Sequence, residues 1–177
     1  YNPDSLTPRG QLQAQALAKR LARYGVDELY ASPLIRAQQT AAPTAVLLNQ
    51  PVEILDWTSE AAAWDDFSVE ENGRRCWIFH SSRRVRLREA TIRARGLRWY
   101  EDPLFADTRA EAGYHRILDA SDAFLAAHGY DHDRLNCRYI ARTPNDRRVA
   151  VFCHQGFGLS WLGALLDIPL PVTWANM

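Results

Sequence analysis

The sequence predicts an α/β chain folded as a three-layer α/β/α sandwich, because short apolar strands alternate with helical patterns along it. Val149-Ala150-Val151-Phe152-Cys153 is a continuous apolar run, suited to a strand covered on both faces. It ends in His154, and glycines at 156 and 158 follow as a helical pattern begins. Leu29 to Ala31 is a shorter run that meets Ser32-Pro33 and also passes into a helix. Both junctions deliver side chains to the carboxyl ends of strands beside helix amino termini, where open α/β sheets build anion sites.

The remaining elements follow in order. Thr7-Pro8 is a helix start, a hydroxyl cap with proline at the first helical position. Ala14, Leu17, Ala18, Leu21 and Tyr24 then recur at helical spacing, and Gly25 is the stop. Ser32-Pro33 opens a second helix through about Leu48, with Pro43 expected to kink it. Val52 to Leu55 reads as a second short strand. The stretch 61–108 has no clean period; its arginine-rich pieces around 82–98 have helical character, and Trp99 to Pro103 reads as a loop. Ala110 to Ala127 is a helix that ends at His128-Gly129, and Gly156 to Leu166 is the helix after the apolar strand.

At 177 residues, 47% of them hydrophobic and with no low-complexity tract, the chain suits one folded domain over 1–177 with an insertion at 64–108. No apolar run approaches the roughly 20 residues of a membrane span, and no signal-peptide pattern is visible. Cys76, Cys137 and Cys153 have no metal-ligand spacing and an odd count, which points to reduced thiols and a cytoplasmic protein. Cys153 and His154 invite a thiol-enzyme reading, but neighbours on a strand point to opposite faces, so the two side chains should diverge. His80, His115, His128 and His132 do not combine with acids at a ligand spacing, so no metal or other cofactor is implied.

Net charge is zero, yet nine arginines (Arg74, Arg75, Arg83, Arg84, Arg86, Arg88, Arg93, Arg95 and Arg98) share a stretch whose single acid is Glu89. Three readings are open: a nucleic-acid arm, a solvated face, or a basic cover over an anion pocket. No nucleic-acid fold signature accompanies the cluster, so nucleic acid is not an expected partner.

Three segments carry a family resemblance: Leu6-Thr7-Pro8-Arg9-Gly10, then Ser32-Pro33-Leu34-Ile35-Arg36-Ala37-Gln38-Gln39-Thr40-Ala41, then His154-Gln155-Gly156. In order and spacing they are similar to the Leu-Thr-x-x-Gly, Ser-Pro-Leu-x-Arg-Ala-x-Gln-Thr-Ala and late His-x-Gly of the histidine phosphatase superfamily, whose fold is phosphoglycerate mutase-like. The resemblance covers about 1–60 and 148–170. The family's nucleophilic histidine belongs to an Arg-His-Gly triplet that this chain lacks, and Tyr1-Asn2 looks like the neighbourhood just after it. The resemblance therefore implies a nucleophilic histidine, with its strand, upstream of Tyr1, and a last strand beyond Met177.

What the resemblance implies for the site is specific. Arg36 would grip phosphate oxygens with its planar fork, and a protonated His154 would stabilise charge on the equatorial oxygens. Asn2 would offer its amide, and Gln155 its backbone N–H at a helix start, although the family commonly has glycine at that place. Glu60 best matches the general acid, with Asp65 and Asp66 as rivals, in a pocket walled by Trp57, Trp64 or Phe67. The implied activity is a metal-independent phosphomonoesterase acting on a small phosphorylated metabolite through phosphohistidine. Alternatives are a phosphoglycerate mutase-type phosphotransferase and a non-catalytic phospho-ligand binder. Specificity is expected from the 64–108 insertion acting as a lid, through arginines such as Arg83, Arg84, Arg86, Arg93 or Arg98 and aromatics among Trp64, Trp77, Trp99 and Tyr100. No nucleic-acid or membrane partner is implied, and the substrate and the oligomeric state are left open.

Overall fold

Thr7 caps the first helix. In the computed structural model, which describes residues 4–176, its hydroxyl accepts the Gly10 N–H at 3.1 Å and Pro8 takes the first helical position of α1 (Pro8–Tyr24). Gly25 stops α1 at φ +70, a conformation that favours glycine, with its N–H on the Leu21 carbonyl. The buried positions of α1 are Ala14 and Ala18; those of α2 (Ile35–Leu48) are Ala37, Ala41 and Thr44. Side chains this small let the two helices pack against each other closely. The helix α2 runs through Pro43 and ends at Asn49, which adopts the left-handed conformation (φ 51).

Three strands, β1 (Glu28–Ala31), β2 (Val52–Ile54) and β7 (Val149–Phe152), form a parallel sheet in the order β2-β1-β7. Val26, Leu29, Ala31, Ala41 and Phe152 make its buried core. Each of the larger members contributes roughly 1.5–3 kcal/mol of apolar burial. In β7 only Phe152 is buried and Val149 is exposed, less coverage than its apolar run predicts. Among the described residues its second edge pairs with no strand. These elements belong to the first of two units into which the chain divides, Tyr1–Glu60 with Asn145–His154; the second is Ala61–Pro144 with Gln155–Met177.

The second unit holds what the sequence left without a period. Most of helix α3 (Glu60–Phe67) lies in it, and a hairpin follows, β3 (Ser68–Glu71) with β4 (Arg74–Trp77), turned by Asn72 and Gly73 at φ 52 and 70. Positive φ at both central residues is the turn that suits a two-residue hairpin loop. Then come 3₁₀ turns at Ser82–Arg88, Gly96–Glu101 and Pro103–Phe105, with the short α4 (Ala90–Ala94) among them, so the expected loop at 99–103 is largely 3₁₀. Helix α5 (Ala110–Ala127) has the predicted bounds. A second hairpin, β5 (Tyr130–Asp133) with β6 (Arg138–Ala141), precedes α6 (Gln155–Leu165) and α7 (Leu170–Ala175) in this unit.

Aromatic packing is its core. Trp99 is fully buried, edge-on to Phe105 (4.9 Å), Trp174 (5.3 Å) and Tyr114 (5.8 Å), and Trp174 meets Phe67 at 5.1 Å. Trp99 and Phe67 are therefore structural, not candidates to face a substrate or wall an acid. Trp77 lies on the first turn of α6: a Cβ built on Gly156 would stand 2.5 Å from its indole. That close approach is what requires glycine there.

The arginine cluster is largely compensated within this unit. Arg75 pairs with Asp65, Arg83 with Asp107, Arg86 with Glu89, Arg95 with Asp102 and Arg98 with Glu101, while Arg88 caps the Ala175 carbonyl. Four of the five acids lie outside the stretch that holds the arginines, which is why the sequence made it look unbalanced. The His132 side chain is fully buried between Asp122 (2.8 Å) and Asp167 (3.1 Å), with Tyr139 stacked on its ring, and pins β5 to α5. Among the described residues no helix is long and apolar enough to cross a membrane.

Candidate active site

Strand register builds the site. Ala31 stands opposite Phe152 across the parallel β1–β7 pair, and the Ser32 N–H donates to the Phe152 carbonyl at 2.9 Å. The pairing thus runs one step past β1 and sets Ser32 beside Cys153-His154 at the sheet's carboxyl edge. His154 Nε2 lies 2.8 Å from the Ser32 hydroxyl. Ser32 is fully buried and His154 half-buried.

The rest of the motif around Arg36 has a physical part at nearly every position. Leu34 starts α2 without a side-chain cap. Asp4, from upstream of α1, supplies one: its Oδ2 accepts the Ile35 N–H at 3.1 Å, while its Oδ1 takes Arg36 Nη1 at 2.6 Å. Gln39 holds that loop in place, its Oε1 accepting the Leu6 N–H (2.7 Å) and the Ser5 hydroxyl (3.0 Å). Thr40 donates to the Arg36 carbonyl, Gln38 to the Pro33 carbonyl, and Ala37 and Ala41 are buried. Among the described residues Asp4 is the one hydrogen-bond partner of the Arg36 guanidinium, through Nη1.

Electrostatics joins these groups. Burial, then the positive charge of Arg36, pushes the His154 imidazole down from its ordinary 6.5 to about 4, and Asp4 opposes the shift. The ring is therefore neutral at neutral pH, where the resemblance implied a protonated one. Glu60 opens α3, at the positive end of the helix. Burial, with a smaller contribution from Glu60, pushes the Cys153 thiol up, away from the thiolate a nucleophile needs.

Other expected groups belong to the second unit. Asp66 is buried and held by Arg116 (2.9 Å) and, more loosely, Arg109 (3.8 Å), and the exposed Asp65 is tied to Arg75, both within the second unit. Gln155 begins α6 in that unit and is exposed. Asn2 lies outside the described residues. Asp4, Ser32 and Gln39 are the residues that site reasoning from sequence missed, although two of them lie inside the motif it used. Among the described residues no group of three or more His, Cys, Asp or Glu is arranged to hold a metal ion.

The sequence profile of the histidine phosphatase superfamily (branch 1) matches residues 3–130, most of the chain. The chain belongs to that superfamily. Its fold is also that of a mycobacterial glucosyl-3-phosphoglycerate phosphatase, at TM-score 0.58 and 18% identity over 97% of this chain and 72% of that one. A phosphoserine phosphatase from Entamoeba histolytica in complex with 3-phosphoglyceric acid superposes at TM-score 0.54, again with 18% identity, over 98% and 72% of the two chains. The superfamily and these folds make the architecture the phosphoglycerate mutase-like α/β/α sandwich on a parallel sheet. Among curated proteins, the PE-PGRS family protein PE_PGRS11 of Mycobacterium tuberculosis is 48% identical over 59 residues, 33% of this chain but only 10% of that protein's length.

Proposed function

We propose that the protein is a phosphomonoesterase that hydrolyses a small phosphorylated metabolite through a phosphohistidine intermediate. The observation that carries this is His154 at the carboxyl edge of the sheet, 2.8 Å from the buried Ser32 hydroxyl and within electrostatic reach of the Arg36 guanidinium. Arg36 would grip two phosphoryl oxygens with its remaining donors, and the His154 ring would donate to a third. Glu60 is the acid we assign to the leaving oxygen. It gives up its proton as the P–O bond breaks and, as carboxylate, takes one from the water that cleaves the phosphohistidine. Asn2 and Gln155 keep the phosphate-binding roles the resemblance implies, as part of the proposal.

The phosphatase names of the two similar structures support hydrolysis over phosphoryl return to substrate. We assign substrate selection to the 64–108 segment, and a reducing, cytoplasmic setting suits the three free thiols. The nucleophile of this mechanism is a histidine upstream of Tyr1, so the test uses the full-length protein. It should hydrolyse a generic aryl phosphate in the presence of a chelator, and His154→Ala should lower turnover on the order of a hundredfold or more. Activity that disappears with the chelator and returns with a divalent ion would contradict the mechanism.

A further inference from the structure

The Ser32 hydroxyl has one proton to give and two lone pairs to fill. One lone pair accepts the Leu34 N–H at 3.4 Å. The group is fully buried, so bulk water cannot take its proton, and among the described residues the one acceptor it meets is His154 Nε2 at 2.8 Å. A buried hydroxyl proton left without an acceptor is costly, so it points at Nε2. A nitrogen that accepts cannot also carry hydrogen, and the proton of the neutral ring must then sit on Nδ1.

We propose that Ser32 is a positioning residue that fixes His154 as the Nδ1–H tautomer, occupying Nε2 and leaving Nδ1–H as the one ring donor for an anion. The assignment rests on the phosphatase reading only in identifying that anion as a phosphoryl oxygen. Among the described residues nothing else bonds the ring nitrogens of His154, so Ser32 alone sets the choice. The depressed ionisation of the ring is consistent with this, because a neutral imidazole has a tautomer to fix and an imidazolium does not. The backbone enforces the pairing: Ser32 is locked to β7 through its own N–H on the Phe152 carbonyl. Nε2 and the hydroxyl are thus held in register by the sheet, independently of any ligand.

The test is nitrogen NMR of full-length protein labelled with ¹⁵N in the histidine rings, at pH 7 without ligand. The His154 signals are assigned by their loss in His154→Gln. The expected spectrum has Nε2 as the unprotonated, pyridine-type nitrogen and Nδ1 as the protonated one. Ser32→Ala should leave the circular dichroism unchanged, bring in the Nε2–H tautomer, and lower turnover of an aryl phosphate about tenfold or more. Ser32→Thr, which restores the hydroxyl, should recover the wild-type ring spectrum. A wild-type ring protonated on Nε2, or a Ser32→Ala ring spectrum identical to wild type, overturns the proposal. A wild type with the expected tautomer but no phosphatase activity upholds the positioning and sinks the phosphatase reading instead.

Discussion

Acidification should destabilise the fold through His154, and by a calculable amount. The folded ring titrates at about 4 and the unfolded one at its ordinary 6.5. As pH falls through this window the unfolded chain takes up a proton that the folded chain refuses. Stability is therefore full above about 6.5 and is lost progressively down to about 4. Taken at face value, at about 1.4 kcal/mol per pH unit, the loss is roughly 3 kcal/mol. The ring is half-buried, and solvent screening reduces the working figure to about 1–2 kcal/mol. Urea denaturation of full-length wild type and His154→Gln at pH 7 and pH 4.5 isolates the contribution, since the other titrating groups are common to both proteins. Wild type should lose about 1–2 kcal/mol more than the variant between the two pH values. Equal losses would show that neither burial nor Arg36 holds this ring neutral, and the electrostatic account of the site would fail.

Two further substitutions probe how the chain positions its groups. Gly156→Ala should lower stability by about 1–2 kcal/mol in the same assay, because the new methyl meets the Trp77 indole at 2.5 Å and the overpacking outweighs the roughly 1 kcal/mol of helix propensity gained; a stabilised variant would mean the indole moves freely. Gln39→Ala removes the acceptor shared by the Leu6 N–H and the Ser5 hydroxyl, should cost about 1–2 kcal/mol, and should speed hydrogen exchange at the Leu6 amide. Unchanged exchange there would show that the Asp4 loop does not depend on Gln39.

The first unit was legible because its signals are local. A hydroxyl before a proline, a glycine after the last periodic residue and a five-residue apolar run each have one physical reading, and α1, β1, α2 and β7 follow them within a residue or so, except at the start of α2, which opens at Ile35 rather than at Ser32-Pro33. Arg36 and His154 were found by motif, but their partners were not. The Asp4–Arg36 pair spans 32 residues and Ser32–His154 spans 122, separations at which only the folded chain declares the contact, in the second case through the β1–β7 register. In the second unit Asn72-Gly73 was a readable hairpin signal that the irregular arginine pattern around it obscured. The second hairpin carried no apolar alternation to read: Tyr130-Asp131-His132-Asp133 is held by paired charges, with Arg142 on Asp131, Arg138 on Asp133, and His132 between two aspartates. Trp99 read as a loop aromatic that could face a substrate, and its burial comes from tertiary partners that sequence spacing does not reveal.

Sharing of one phosphate by Arg36 and His154 is the central claim, and a double-mutant cycle on inorganic phosphate binding measures it. Calorimetric titration of full-length wild type, Arg36→Lys, His154→Gln and the double variant gives the coupling free energy directly. Groups gripping the same anion should show a coupling of about 1 kcal/mol or more, with each single variant binding phosphate at least several-fold more weakly. Additive losses, or single variants that bind phosphate as tightly as wild type, would contradict the site.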